Sequence, residues 1–271
     1  MSRIDDRLRT LDSAVSVFRC QQTELGGSVT AGDKAALNGL YKELELELDD
    51  FLACENGVKK AGVKKWKRDT KPFHWFCDYH TILGSSGFDV IIGNPPYVEY
   101  KDVLKKCSYT LPLAELRTGD CGNLYAYTFE RCMSLGRDGS RTGLIIPVAS
   151  VSTDGYASLR KVLQDRGSMV ISSFNDRPSK LFDGLEHIRL SIVLHTADGV
   201  KGAHTTGYLR WSKGERDHLF NRLQFSRSRI DLARHYIPKV GGSPADSIIE
   251  KLFQRDSLPF LKRMLYRFWR A

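Results

Sequence analysis

"FDVIIGNPPYVEY", residues 88–100, is the stretch on which the reading of this chain turns. Residues 88–92 are a short continuous apolar run, the pattern of a buried parallel strand. The run ends on a glycine, an asparagine, two prolines and a tyrosine. Each proline fixes its own φ and holds the residue before it extended. Asn94 and Pro95 each precede a proline, so residues 94–97 form a stiff loop. That loop presents one side-chain amide, one or two backbone carbonyls and one aromatic face. In an open α/β sheet, ligands bind beyond the carboxyl ends of the strands, which is where residues 94–97 fall.

The stretches downstream alternate in the same sense. "GNLYAYTFERCMSLG" (122–136) reads as a helix, "GRDGSRTG" as a turn and "LIIPVAS" as a second buried strand. "DGYASLRKVLQDRG" reads as a helix, "MVISSFND" as a third strand, and "RLSIVLHTA" and "TTGYLRW" as two more. Strand, helix, strand, helix, strand predicts an open α/β sheet with right-handed crossovers. Upstream, Ile4, Leu8, Leu11, Val15 and Phe18 recur at helical spacing over residues 2–22. "GGSVTAGD" (26–33) reads as a loop. A second helix then presents Leu37, Leu40, Tyr41, Leu44, Leu48, Phe51 and Leu52 on one face, with Asp33 as its N-cap. The two helices predict a hairpin, which buries little alone and is expected to pack on something outside the chain. Residues 58–71 carry seven basic residues and one acid. They fit a phosphate-contacting loop or a solvated linker, and the linker is favoured.

The chain has 271 residues, 41% of them hydrophobic, enough for one large domain or a domain with an appendage. No apolar run reaches the length of a membrane span and "MSRIDDRLRT" has no signal-peptide core, so a cytoplasmic protein is expected. The six cysteines are scattered with no CxxC pair, which argues against a disulfide framework or a zinc ribbon. His74, Cys77, Asp78 and His80 in "FHWFCDYH" have the residue types of metal ligands; the favoured reading is a strand or loop near the core with no metal. Residues 201–271 hold 15 Lys+Arg against 6 Asp+Glu, which accounts for the whole net charge of +9. A bias on that scale suggests a polyanion such as nucleic acid, or a solvated basic surface.

The loop's chemistry follows from its acceptors. Asn94 Oδ1 and the Pro95 carbonyl together could accept both hydrogens of an exocyclic amine. An aryl amine is a poor nucleophile because its lone pair is delocalised into the ring. Two converging acceptors favour a pyramidal nitrogen and so localise that pair, a preorganised electrostatic effect. Tyr97 could stack on the ring, and a base inside a duplex would have to flip out to arrive.

With "PFHWF" (72–76), "GFDVIIGNPPYV", "GNLYAYTFERCMSL", "GLIIPVAS" and "GYASLRKVL", the chain resembles adenine-specific (N6) DNA methyltransferases of restriction-modification systems, of the type II and IIG kind with an NPPY motif. The similarity runs from about residue 72 to 196 and more weakly to 266; "YIPKVGGSPADSIIEKL" (236–252) is similar to the lead-in to target recognition. The resemblance implies an α/β fold: a partial Rossmann-like sheet of a methyltransferase dependent on S-adenosyl-L-methionine, with an N-terminal helical hairpin and a basic C-terminal extension. It divides the chain into 1–71, 72–212 and 213–271. It implies methyl transfer to adenine N6 in double-stranded DNA, with Asn94, Pro95 and Tyr97 as the target pocket and Pro96 shaping the loop. Phe182 in "KLFDGLEHIRLSIVL" is the candidate for the family's later aromatic residue against the flipped base. Asn123 and Tyr125 match a structural helix motif.

The resemblance also implies a glycine-rich turn for the methyl donor and an acidic residue for its ribose, both upstream of NPPY. The glycine-rich turn that holds the methyl donor is not found in residues 1–93; "ELGGSV" (24–29) follows a helix and lacks the acidic and aromatic companions. "FCDYH" aligns too poorly to place Asp78 at a cofactor contact, so the donor site stays unassigned. The expectation is therefore a chain active with a complementing subunit that carries the cofactor motif, or a catalytically incomplete DNA-binding or assembly fragment. A methyltransferase acting on a protein glutamine or an rRNA guanine N2 is the alternative among enzymes. Half a doubly wound sheet is also expected to leave an edge strand and an apolar face exposed.

Overall fold

The computed structural model describes residues 2–23, 28–106, 110–184, 187–228 and 236–242, with 244, 247, 248 and 251. They fall into two compact units: Met1–Gly87 with Leu104–Leu111, and Phe88–Val103 with Pro112–Ala271.

The first unit is helical. α1 (Ser2–Thr23) and α2 (Ala31–Glu55) form the expected hairpin. Leu11, Val15 and Leu44 are its buried seam, with Ile4, Leu8, Leu37, Leu40, Tyr41 and Leu48 packed around them. Arg7 crosses the hairpin to Glu43 and Glu47. α2 starts earlier than its sequence suggests. Thr30, not Asp33, is the N-cap, and Asp33 is the third residue of a reciprocal capping box. The hairpin core is not left for an outside partner alone, because Cys77 packs into it.

The basic stretch favoured as a linker is instead ordered as α3 (Val63–Thr70). Trp66, 6% exposed, gives it an apolar anchor that outweighs the surrounding charge. α3 packs on α2, where Lys67 meets the buried Asp49 carboxylate. His74 reaches the same carboxylate through Nε2 at 2.8 Å. "FHWFCDYH" is not a strand: Phe73 and His74 lead into the short helix α4 (Trp75–Asp78), and after Tyr79 comes α5 (His80–Ser85).

The second unit is a six-stranded mixed sheet: β1 (Phe88–Gly93), β2 (Gly136–Pro147), β3 (Ser168–Phe174), β4 (Leu190–Thr196), β5 (Gly202–Leu209) and β6 (Ser226–Ser228), in the order β1-β2-β4-β3-β5-β6. β1 pairs parallel with β2, and β3 with β5; β4 lies antiparallel between β2 and β3. The helices are α6 (Tyr100–Leu104), α7 (Leu124–Leu135), α8 (Ala149–Ser152) and α9 (Ala157–Arg166). The residues read as the turn "GRDGSRTG" belong to β2. They lie where the β1–β2 register jumps, Phe88 facing Gly136 and Val90 facing Arg141, with Gly139 at a φ of 76°. A turn sequence has become a bulge.

α7 packs on β2 and α9 on β3, and the buried side chains of the sheet, Leu144, Ile146, Met169, Ile171 and Val193, make the core with Phe129, Leu159, Val162 and Leu163. His195 on β4 marks that face, its Nε2 3.0 Å from the Leu163 carbonyl oxygen at the end of α9. The opposite face is covered at the carboxyl end of β3, where Phe174 and Ile192 pack with Trp211 and Leu219, and is open towards β1. Ile92, Gly143, Leu194 and Val170 lie side by side across β1, β2, β4 and β3. Ile92 is 82% exposed, Leu194 53% and Val170 37%. β1 is thus an edge strand with one open face, not the fully buried strand expected; an apolar run specifies burial only where both faces find neighbours.

Beyond β6, residues 236–242 strap the sheet. Ile237 and Val240 are buried, the Ile237 amide donates to the Val151 carbonyl at 3.0 Å, and Thr205 Oγ1 donates to the Pro238 carbonyl at 2.8 Å. Of the basic extension, residues 229–235, 243, 245, 246, 249, 250 and 252–271 lie outside the described residues, among them part of the recognition lead-in. No helix among the described residues is long and apolar enough to cross a membrane.

Candidate functional site

The loop after β1 is held from two sides. The Tyr100 amide donates to the Gly122 carbonyl at 2.9 Å and the Leu124 amide to the Val98 carbonyl at 3.0 Å, with Glu99 bridged to Asn123. Asn123 is the N-cap of α7, its Oδ1 accepting from the Tyr125 amide at 3.4 Å. The two residues matched to a helix motif therefore fix the start of α7, and that start carries the loop.

Within the loop, Pro95 is buried, while Asn94 and Pro96 are exposed. The Tyr97 hydroxyl lies 2.6 Å from Asn94 Oδ1 and 2.9 Å from the Ile145 carbonyl on β2. Burial pushes the Tyr97 phenol up to about 12, so at neutral pH it is a donor. Its single hydrogen is shared between these two acceptors, which ties the Asn94 side chain to the neighbouring strand. The Tyr97 ring stands edge-on to Tyr125, centroids 6.3 Å apart, and Tyr125 stacks on Tyr156 at 5.2 Å.

These three tyrosines line a cavity of about 940 Å³. It lies at the carboxyl ends of β2, β3 and β5 and beside the loop that follows β1. Pro147–Ala149 come from the end of β2, Asn175–Pro178 from the end of β3 and Arg210 from just past β5. Asn175 shapes the β3 exit, its Oδ1 accepting from the Asp176 amide at 2.8 Å and the Arg177 amide at 3.3 Å. Asp176 is 8% exposed and faces Arg189 Nε at 3.5 Å and His187 Nδ1 at 3.8 Å.

Of the residues assigned from sequence, Tyr97, Asn123 and Tyr125 line this cavity, and Asn94 adjoins it through Tyr97. Phe182 is partly buried in the β3–β4 connection and is not among the lining residues. Tyr156, Asp176, Arg189 and Arg210 were not singled out. The signal available for Asp176 and Arg210 was position, since both follow the carboxyl end of a strand; Tyr156 and Arg189 depend on how the chain returns.

The His74 and Cys77 pair is engaged elsewhere: His74 holds Asp49, and burial pushes the Cys77 thiol up to about 12. Among the described residues no group of three His, Cys, Asp or Glu side chains is placed to hold a metal ion.

Residues 32–182 match the family described as Eco57I restriction-modification methylase. The chain belongs to that family. The matched span runs from α2 through the cavity's β3 exit, so it contains the whole Asn94–Tyr97 loop. A putative type II restriction enzyme and methyltransferase of Methanocaldococcus jannaschii is 30% identical over 146 residues, 51% of this chain and 12% of that protein. Among solved structures, the DrdV–DNA complex aligns with a TM-score of 0.45 at 12% identity, over 54% of this chain and 18% of that one. A nuclease-deleted Type ISP enzyme, LlaGI with a DNA substrate mimic, aligns with a TM-score of 0.43 at 15% identity, over 52% and 14%. This methylase-family chain thus spans a small part of the length of the relatives it matches.

Proposed function

We propose that this chain holds the target base of a restriction-modification DNA methyltransferase, presenting adenine N6 of a flipped nucleotide for methylation. The observation that carries the reading is the Asn94–Tyr97 geometry beside the cavity. Tyr97 donates its hydroxyl hydrogen towards one lone pair of Asn94 Oδ1. The second lone pair and the Pro95 carbonyl are the acceptors for the two amine hydrogens. As they draw on those hydrogens the nitrogen pyramidalises and its lone pair is freed from the ring. Tyr97 and Tyr156 offer the aromatic wall on which a base could lie, backed by the buried Tyr125. Pro96 sets the loop's course, and Phe182 serves the base only if the β3–β4 connection brings it to the cavity.

S-adenosyl-L-methionine is the donor the family implies, and it supplies an electrophilic methyl group when bound. Among the described residues, the exits of β1 and β2 do not make the cradle such a donor needs. Gly93-Asn94-Pro95-Pro96 follows β1 and Pro147-Val148 follows β2; among the described residues neither strand exit is a glycine-rich turn into a helix. The part proposed for the described residues is the acceptor. A complementing subunit bringing the donor site is part of this proposal, as are double-stranded DNA as substrate and the three-part division of the chain at residues 71 and 212. The incomplete strand exits also favour the second reading, a chain that binds DNA or assembles with a partner and transfers no methyl group alone.

The test is methyl transfer from labelled S-adenosyl-L-methionine to DNA by the chain together with the subunit that carries the donor site, with nucleoside analysis of the product. N6-methyladenine from wild type, and its loss by at least about a hundredfold in Asn94→Ala with DNA binding retained, supports the reading. Label appearing instead on protein glutamine or on rRNA guanine moves the chain to the other NPPY enzymes. Calorimetry with S-adenosyl-L-methionine tests the division of labour: heat from the folded chain alone places a donor site in it, and a chain that binds DNA yet yields no methylation with the donor subunit present supports the assembly reading.

A further inference from the structure

The cavity has a basic wall that the acceptor chemistry does not use. Arg177, Arg189 and Arg210 line it with the tyrosines. They come from three separate places: the exit of β3, the entry of β4 and the exit of β5. Three guanidinium groups gathered from distant points in the chain are not a charge run along one solvated helix face. We propose that they form a seat for the phosphodiester backbone flanking a nucleotide turned into the cavity. The proposal rests on the DNA reading above.

Three features support it. The first is charge. One buried carboxylate, Asp176, stands among the three arginines, so the wall keeps an excess of positive charge. The second is order. Asp176 holds Arg189 at 3.5 Å, Arg189 lies over the Tyr208 ring at 5.9 Å, and Arg177 Nη2 is 3.3 Å from His187 Nδ1. Of the three arginines, Arg189 is fixed by a buried anion and an aromatic face and loses less freedom on binding than a free surface arginine. Their planar forks match the oxygens of a phosphodiester. The third is size. At about 940 Å³ the cavity lies near the top of the range of roughly 300–1,000 Å³ for small-ligand pockets. That leaves room for sugar and phosphate as well as a base. Contacts of this kind set the register of the nucleic acid and carry no sequence information.

The experiment measures fluorescence anisotropy of the full chain with a labelled duplex carrying one mismatched adenine, which costs less to flip. Arg189→Ala, Arg210→Ala and a control, Arg137→Ala, are compared over a series of salt concentrations. Arg137 is outside the cavity and pairs with Asp89. Each cavity substitution is expected to weaken binding about tenfold and to lower the salt slope by about 1, with the control unchanged. A neutral methylphosphonate placed beside the adenine is expected to weaken wild type more than Arg210→Ala. Arg189→Ala uncovers a buried carboxylate and is the variant at risk of misfolding. Arg210 is exposed and makes the decisive variant once its melting profile matches wild type. If Arg210→Ala binds as tightly as wild type with the same slope, the seat is overturned, and methylation by that variant leaves the DNA reading standing. If wild type binds no duplex at low salt, the DNA reading falls and takes the seat with it.

Discussion

Tyr97 joins the loop's chemistry to its scaffold through one hydrogen atom. The sequence suggests an aromatic face for stacking; the structure adds a hydroxyl that holds the catalytic candidate Asn94 against the Ile145 carbonyl. Tyr97→Phe keeps the ring and removes that tie. It is expected to slow methyl transfer about tenfold, the worth of one hydrogen bond, with the melting temperature little changed. A rate equal to wild type would reduce Tyr97 to its ring. The ionisation state follows from burial. The folded phenol titrates at about 12, above its ordinary 10. Below pH 10 both folded and unfolded chains keep the proton and the contribution to stability is complete. Between 10 and 12 the unfolded chain loses its proton first, so stability falls as pH rises. A rate limited by this donor should therefore not lose it anywhere in the neutral range, which a pH–rate profile of wild type against Tyr97→Phe would check.

At the scale of elements, local composition misled where one large side chain decided the outcome. Seven basic residues in fourteen argued for a linker over 58–71, yet α3 forms because Trp66 has somewhere to go. Trp66→Ala is expected to cost about 3–5 kcal/mol, read by urea unfolding of the full chain, with loss of helical signal; a solvated linker would tolerate it. The capping of α2 shows a smaller shift of the same kind. Thr30 and Asp33 share the work of one box, so a reading that looks for one cap residue picks the carboxylate and places the helix start late. In β2 a run of turn residues is held in the ladder by pairing with β1 and β4 on either side.

On the scale of the whole molecule, the sheet face opposite α7 and α9 is covered at one end by Trp211 and Leu219 and exposed near β1. The row Ile92, Leu194, Val170 is apolar and exposed, and it ends on the open edge of β1. Such a surface tends to find a partner, specific or not. Ile92→Lys combined with Leu194→Lys is expected to reduce self-association, seen by light scattering at rising concentration, while each exposed substitution changes stability by only about 0.5 kcal/mol. An unchanged size distribution would show that the face is not adhesive. The complementing subunit proposed for the donor site would present its own apolar surface to this row, and the same double variant should then also weaken that assembly.

The order of elements, the hairpin seam and the position of the Asn94–Tyr97 loop at a strand end were legible in the sequence. Each rests on spacing over a few residues: heptad-like recurrence for the helices, short apolar runs for the strands, and prolines that stiffen the loop whatever surrounds it. Family membership was legible for the same reason, since its motifs are contiguous. What only the tertiary structure decided depends on residues far apart in the chain. The insertion of β4 between β2 and β3, the bare face of β1, the hydroxyl bond from Tyr97 to Asn94 and β2, and the gathering of Tyr156, Asp176, Arg189 and Arg210 around one cavity all need strands to pair before they exist. Local pattern fixes which face of an element is apolar; only the fold determines whether anything comes to cover it.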